Sequence, residues 1–256
     1  MIYAIGDIHG EIKLLNKLFD EILSDIRHQH DSDNKIIFLG DYVDRGDSSK
    51  EVIDFLMDVQ QKQDQYFKNL DWFNKLDIIF LWGNHEDMMS KVIDGDEKMV
   101  GTWLYNGGLQ TLKSFGLYDR TSNPNELFAD FDSLKPYNDW FKENLKLYHV
   151  TEDYIFCHSG FIRTDFDISL DAQETSLLWG RPHKGMYIGY NKTVIYGHTP
   201  TNNGIPSIAT NQICVDVGCG KFNDSLACVV LPNTSGELIQ PRFMQVYGDS
   251  GNKSFI

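Results

Sequence analysis

Seven side chains that could hold or serve a cation, Asp7, His9, Asp41, Asn84, His85, His158 and His198, each stand at or just past the end of a short apolar run. Carboxylate oxygen, amide oxygen and imidazole nitrogen are donors that suit divalent Mn, Fe and Zn. Leaving His85 aside, six donors are too many for one closed tetrahedral zinc and suit two metals that share a bridging carboxylate. Asp7 and His9 are two residues apart, so on an extended strand end both project to one face. Asp44 and Arg45 lie in the same loop as Asp41 and bring a second carboxylate and a guanidinium to it.

The runs that carry these residues are four to six residues long, rich in β-branched and aromatic side chains, and end at Gly or directly in Asp, Asn or His. That is the length of a buried strand, not of a helix. In open α/β sheets, ligand sites lie outside the carboxyl ends of the strands, so the five tails are expected to converge. Between the first and second runs, Ile12, Leu15, Phe19, Ile22 and Ile26 recur at helical spacing and predict a helix over 11–26. Asp47, Ser48 and Ser49 offer N-caps for a second helix over 50–65, before a third strand at 77–82. Two successive β-α-β crossovers predict a parallel sheet and an α/β fold. A short helix at 87–93 is expected next. Residues 98–147 lose this rhythm and read as a helical insert, with helices at 108–114 and 137–145, placed to wall a substrate cleft. Past 205, short strand runs are separated by turn residues at 223–224 and 233–236, which are hairpin signals, and the polar tail after 247 is expected to fray.

Composition narrows the function. With 256 residues and 41% hydrophobic content the chain can bury a large core, expected as a single domain over 1–256. The net charge of -14 argues against a general nucleic-acid binder, whose affinity comes from clustered Lys and Arg. Anionic phosphate would then need positive charge concentrated locally, by metals or arginines. The four cysteines show no CxxC spacing and imply no disulfide framework. The first strand pattern begins at Ile2, leaving no room for a signal peptide, and no apolar run approaches the ~18 residues of a membrane span, so a soluble cytoplasmic protein without membrane partners is expected.

The segments Gly6-Asp7-Ile8-His9-Gly10, Gly40-Asp41-Tyr42-Val43-Asp44-Arg45-Gly46 and Gly83-Asn84-His85-Glu86 resemble the three signature motifs of the phosphoprotein phosphatase family of calcineurin-like metallophosphoesterases. His158 and His198, with Trp179-Gly180-Arg181 between them, resemble the downstream part of the bacterial and bacteriophage-lambda-type serine/threonine phosphatases. The resemblance implies a two-sheet β core flanked by helices. It also implies that Asp7, His9 and Asp41 hold one metal, and that Asp41, Asn84, His158 and His198 hold the other, with Asp41 as bridge and Mn2+ as the expected ion, Fe or Zn being alternatives. His85 resembles the family's general acid, Asp44 its carboxylate partner, and Arg45 and Arg181 its phosphate clamps. Asp216, in a strand-like run, is either a hydrogen-bond partner to a metal histidine or an ordinary turn residue.

A serine/threonine-type protein phosphatase acting on a phosphorylated protein or peptide is the activity implied, by direct attack of a hydroxide that bridges the two metals. Ser159 follows His158 where eukaryotic members usually carry Gly, and Gly197-His198-Thr199-Pro200 resembles bacterial forms, so no eukaryotic regulatory subunit is implied. The alternative is a symmetrical dinucleoside tetraphosphate hydrolase on the same metal scaffold. Asp44-Arg45 in the second motif favours the phosphatase, since the dinucleotide enzymes usually lack that Asp.

Overall fold

The computed structural model describes residues 1–30, 32–68, 71, 73, 75–118, 127–162, 170–233 and 240–249. Their elements run β1 (Ile2–Ile5), α1 (Ile12–Gln29), β2 (Asp33–Phe38), α2 (Ser49–Lys62), β3 (Lys75–Leu81), α3 (Asn84–Ile93), α4 (Glu97–Trp103), α5 (Leu109–Ser114) and α6 (Lys135–Asn144). They continue with β4 (Leu145–Lys146), β5 (Tyr148–Val150), β6 (Tyr154–Cys157), α7 (Glu174–Trp179), β7 (Thr193–Tyr196), β8 (Ser207–Ala209), β9 (Gln212–Cys214), β10 (Ser225–Leu231) and β11 (Arg242–Tyr247). Two sheets result, one of order β11-β10-β1-β2-β3-β4 and one of order β5-β6-β7-β9-β8.

Strand alternation explains the layering. Tyr3, Ile5, Ile36 and Phe38 face a layer of helices that includes the apolar side of α1 (Leu15, Leu18, Ile22, Ile26). Their neighbours Ile2, Ala4, Ile37 and Leu39 face the other way and pack with Phe156, Ile195 and Ile213 of the second sheet. The far side of the second sheet, Ile155, Cys157, Val194 and Tyr196, is closed by Leu177, Phe161 and Tyr187. A one-residue slip of β1 would exchange its two faces, so the register is set by burial.

The five site-bearing runs divide between the sheets. β1, β2 and β3 lie parallel in the first, and β6 and β7 lie parallel in the second. Both predicted crossover helices are present, α1 running three residues past the expected end and α2 stopping at Lys62. The third helix starts three residues earlier than expected. Glu86 reaches back to the Gly83 N–H at 3.0 Å and draws Asn84 and His85 into its first turn. Tyr148–Val150 and Tyr154–Cys157 form an antiparallel pair, the second strand ending just before His158.

The hairpin expected at 223–224 is not formed: β9 and β10 belong to different sheets, and residues 215–224 cross between them. A tight hairpin sits instead between β8 and β9, with Asn211 in the left-handed region at φ 56°. The turn expected at 233–236 lies largely outside the described residues, and so does the tail beyond 249, although β10 and β11 on either side of that turn do pair antiparallel. Between β3 and β4 the described residues are largely helical, as the loss of strand rhythm predicts. The sequence pattern did not foresee α4 or the π-helical turn Leu104–Gly108 that joins it to α5. No helix among the described residues is long and apolar enough to cross a membrane.

Candidate metal centre

Loops at the carboxyl ends of β1 and β2 are stitched together by main-chain hydrogen bonds. Ile8 and His9 N–H both donate to the Asp41 carbonyl at 2.9 Å, and Gly10 N–H donates to that of Tyr42 at 2.8 Å. This stitching, not strand alternation, places the first motif. β1 ends at Ile5, and His9 sits at φ 46°, so Asp7 and His9 do not project side by side from an extended strand as expected.

Asp41, Asp44 and Arg45 also occupy the left-handed region, at φ 54°, 71° and 69°. Such backbone is costly for residues with a side chain and persists only when the surroundings over-determine it. At Asp41 the over-determination comes from Glu86, and at Asp44 and Arg45 from hydrogen bonds of their N–H groups to Ser49, Thr111 and the Gly107 carbonyl. The buried Glu86 carboxylate accepts N–H donors from Gly83, Asp41, Tyr42 and Val43 at 3.0, 2.8, 2.7 and 3.1 Å. Successive N–H groups converging on one anion form a nest, and the anion is the protein's own side chain. Glu86 stands in the third motif, where the resemblance gives it no role. Its signal was its place three residues into a helix, where a glutamate caps the preceding N–H.

Two sets of three donors lie with their ligand atoms within 4.8 Å of one another: His9, Asp41 and His85, and Asp41, His158 and His198. Asp41 belongs to both, the geometry expected of a bridge. His9 and His158 each have Nδ1 against a backbone carbonyl at 2.9 Å, of Val43 and Leu39 respectively, which leaves Nε2 facing the cluster. Asn84 Oδ1 lies 3.0 Å from His158 Nε2 and 2.8 Å from His198 Nδ1, bringing the third motif to the second set.

Asp7 is in neither set. Its carboxylate accepts the His198 N–H at 3.0 and 3.1 Å and faces Asp216, whose own Oδ1 accepts the Gly218 N–H at 2.8 Å. Asp216, left open by the sequence, thus makes the turn contact to Gly218 N–H and lies beside the Asp7 carboxylate, with no hydrogen bond to a histidine among the described residues. Arg181 is exposed and near enough for its charge to act on His198, and the Trp179 ring lies edge-on to the His198 ring at 6.3 Å between centroids.

The electrostatics are those of crowded ligands. Burial raises the Asp41 carboxyl, but His158, His85 and His9 around it outweigh this and hold it well below the usual range. Burial, with Asp216 alongside, pushes Asp7 well up, and burial pushes Asp216 up to about 6. His9 is held well below the ordinary imidazole value by burial, and His198 is lowered to about 3 by burial and the neighbouring His158. His158, by contrast, is raised to about 9, because Asp41 outweighs its burial. His9 and His198 thus already have the neutral imidazole a divalent ion needs beside an ionised Asp41, whereas His158 and Asp7 would give up a proton to bind one.

The fit to metal can be read from what the donors lack. Among the described residues, the buried His198 Nε2 has no hydrogen-bond partner. The Arg45 guanidinium donates from Nη1 to His9 Nε2, so a cation already lies against that lone pair, and its Nη2 lies 2.9 Å from His85 Nε2. The donor set fits divalent ions.

His85 differs from the other histidines of the cluster. Its Nδ1 donates to Asp44 Oδ2 at 2.6 Å, where both side chains are almost wholly buried. Burial works against the charged ring, but Asp41 and the hydrogen-bonded Asp44 outweigh it and hold His85 above its ordinary value. Three more groups grip this dyad. Trp103 Nε1 donates to both Asp44 oxygens at 3.0 and 3.1 Å, the Thr111 hydroxyl donates to Oδ1 at 2.6 Å, and Ser49 Oγ accepts the Asp44 N–H at 3.0 Å. None of the three was singled out for the site from sequence.

Comparison with known proteins agrees with this architecture. Over 257 aligned residues the chain is 26% identical to a bis(5'-nucleosyl)-tetraphosphatase PrpE [asymmetrical] of Anoxybacillus flavithermus, covering 91% of each chain. It is 28% identical to serine/threonine-protein phosphatase 2 of Escherichia coli, covering 85% of this chain and 87% of that one. Among solved structures, one assigned to a diadenosine tetraphosphatase superposes with a TM-score of 0.55 at 16% identity, covering 98% and 94% of the two chains, which shows a shared fold. The sequence profile described as calcineurin-like phosphoesterase matches residues 1–228, and with strand-end tails converging on a shared Asp41, the chain belongs to that family.

Proposed function

We propose that the protein is a two-metal phosphomonoester hydrolase, acting as a serine/threonine protein phosphatase. The observation that carries this reading is the buried Asp44–His85 dyad beside the shared carboxylate. An alkoxide leaving from a serine ester must be protonated as it departs, whereas the phosphate leaving from an anhydride is already a stable anion. A histidine whose charged ring is favoured by a hydrogen-bonded buried aspartate is suited to the first task.

In this reading Asp7, His9 and Asp41 hold one ion, Asp41, Asn84, His158 and His198 the other, with Mn2+ the expected metal. When bound, the pair lowers the pKa of the attacking water and offsets charge on the phosphate. Arg45, whose guanidinium already points at His9 and His85, turns its planar fork to the phosphate oxygens, and Arg181 approaches from the His198 side. His85 gives its Nε2 proton to the leaving oxygen while Asp44 fixes the ring through Nδ1. His85 also lies within ligand range of Asp41, but its Nδ1 is committed to Asp44, and the acid role needs Nε2.

Dinucleoside tetraphosphate hydrolysis is the second reading, favoured by the name of the Anoxybacillus relative. That name specifies the asymmetrical reaction, where the sequence reading had the symmetrical one. The two differ in product: AMP and ATP from the first, two ADP from the second. The deciding experiment gives the metal-stripped protein a phosphoserine peptide and diadenosine tetraphosphate in parallel, with and without Mn2+. Release of phosphate from the peptide, with the dinucleotide intact by chromatography, is the expected result. Cleavage of the dinucleotide with an inert peptide would replace the proposal by the second reading. Calorimetry on His85→Asn separates acid from ligand: Mn2+ binding is retained if His85 is the acid.

A further inference from the structure

The segment Trp103–Thr111 touches the catalytic loop at three points. Trp103, at the end of α4, spans both oxygens of Asp44, and Thr111, in α5, closes a ring on the same residue. The Thr111 hydroxyl accepts the Asp44 main-chain N–H at 2.9 Å and donates to its carboxylate. Between them, in the π-helical turn, the Gly107 carbonyl accepts the Arg45 N–H at 3.4 Å. Gly107 sits at φ 113°, and a methyl group there would lie 2.8 Å from Arg45 N and 3.0 Å from its Cγ. One-turn π-helical segments concentrate where a helix is bent to serve a site. Here the bend lets one short segment grip two adjacent residues from opposite ends.

We propose that this segment is a two-part clamp: Trp103 and Thr111 are positioning residues that orient Asp44 and through it the His85 ring, while Gly107 sets the main-chain position of Arg45. The proposal rests on the reading of Asp44–His85 as the leaving-group acid. Both oxygens of Asp44 are shared among His85, Trp103 and Thr111, so removing one donor lets the carboxylate turn and carries the imidazole with it. The phosphate-facing guanidinium hangs from a different residue, so the two halves of the clamp fail differently.

The test measures kcat and KM of the Mn2+-loaded full chain on para-nitrophenyl phosphate, a good leaving group, and phenyl phosphate, a poor one. Thr111→Val and Trp103→Phe are expected to lower kcat on phenyl phosphate about tenfold, part of the ~10²–10⁴-fold that a general acid supplies, with less than about a twofold change on the nitrophenyl ester. Thr111→Ser keeps the hydroxyl and restores the rate. Gly107→Ala is expected to raise KM on both esters alike, since it displaces the phosphate-binding residue and not the acid. A second readout, independent of turnover, is the Trp103 indole N–H resonance, which should move in Thr111→Val because the two donors share one carboxylate oxygen.

His85→Asn is the reference. If it loses rate on the poor leaving group and Thr111→Val and Trp103→Phe do not, the clamp is overturned and the acid assignment stands. If His85→Asn itself shows no leaving-group dependence, the acid assignment fails and the clamp with it. Equal losses on both esters in Thr111→Val, with an unmoved indole resonance, would reduce Thr111 to a packing residue.

Discussion

Replacing Glu86 by Gln changes one atom and should unfold the loop that carries Asp41. The carboxylate takes two N–H donors on each oxygen, Tyr42 and Val43 on one, Gly83 and Asp41 on the other. An amide can present its carbonyl to one pair only, so its NH2 faces the other pair donor to donor. Two buried N–H groups then lose their acceptor, at about 1–3 kcal/mol each, or about 2–6 kcal/mol together. Burial and the nearby Asp41 charge raise the Glu86 carboxyl, so part of the cost is offset by relieving that charge, and the lower half of the range is expected. A loss of about 3 kcal/mol lowers the melting temperature of a chain this size by on the order of 10 °C. Urea unfolding of the metal-free variant gives the free energy, and Mn2+ titration shows whether Asp41 is still held in place, with weaker binding expected. If Glu86→Gln unfolds at the wild-type urea midpoint and binds Mn2+ unchanged, the nest does not hold the loop and the account of its left-handed Asp41 is wrong.

Gly197→Ala puts a methyl 2.1 Å from Asp7 Oδ1, which must then leave the His198 N–H, so Mn2+ affinity should fall. By contrast, Gly101→Ala in the interior of α4 meets nothing within 4 Å and should stabilise the protein by about 0.5–1 kcal/mol in thermal unfolding. Tyr3 Oη donates to Asp25 at 2.6 Å and Arg242 pairs with the same carboxylate; these bonds outweigh burial and hold Asp25 below its ordinary value. Its stabilisation, about 1–2 kcal/mol, is therefore complete above about pH 4 and is lost as pH falls through the lowered folded value. In urea titrations Asp25→Asn should be weaker than wild type at pH 7, with the gap narrowing in acid. Four free buried cysteines, with burial pushing Cys157 up to about 12, should stay unlabelled by a disulfide reagent until denaturant is added; rapid labelling of the native protein would contradict the packing.

The motifs were legible because each depends on neighbours in sequence: an apolar run, a break, then a donor. Convergence of Asp41, Asn84, His158 and His198 follows from strand ends, once the strands are known to be parallel within two sheets that face each other. What stayed hidden depends on long-range contacts. Trp103 reads as one more aromatic in an apolar stretch, and it is indeed fully buried. Only the fold shows that its single polar atom meets a carboxylate 59 residues earlier in the chain. Thr111 sits in a short helix with no spacing signal at all. The 223–224 turn was misread for a related reason: local turn chemistry is the same whether the next strand returns to its own sheet or crosses to another.

The division of the cluster between two sheets has a consequence for the newborn chain. Asn84 leaves the ribosome 114 residues before His198, an interval of roughly 5–25 s at ~5–20 residues per second. Over that time the first sheet can form its parallel trio, but Asp7 waits for the His198 main chain and Leu39 waits for the His158 ring. An ion held at the second triad would therefore be captured late, sealing the seam between the sheets, and a nascent chain halted before residue 198 would lack one of that triad's three donors.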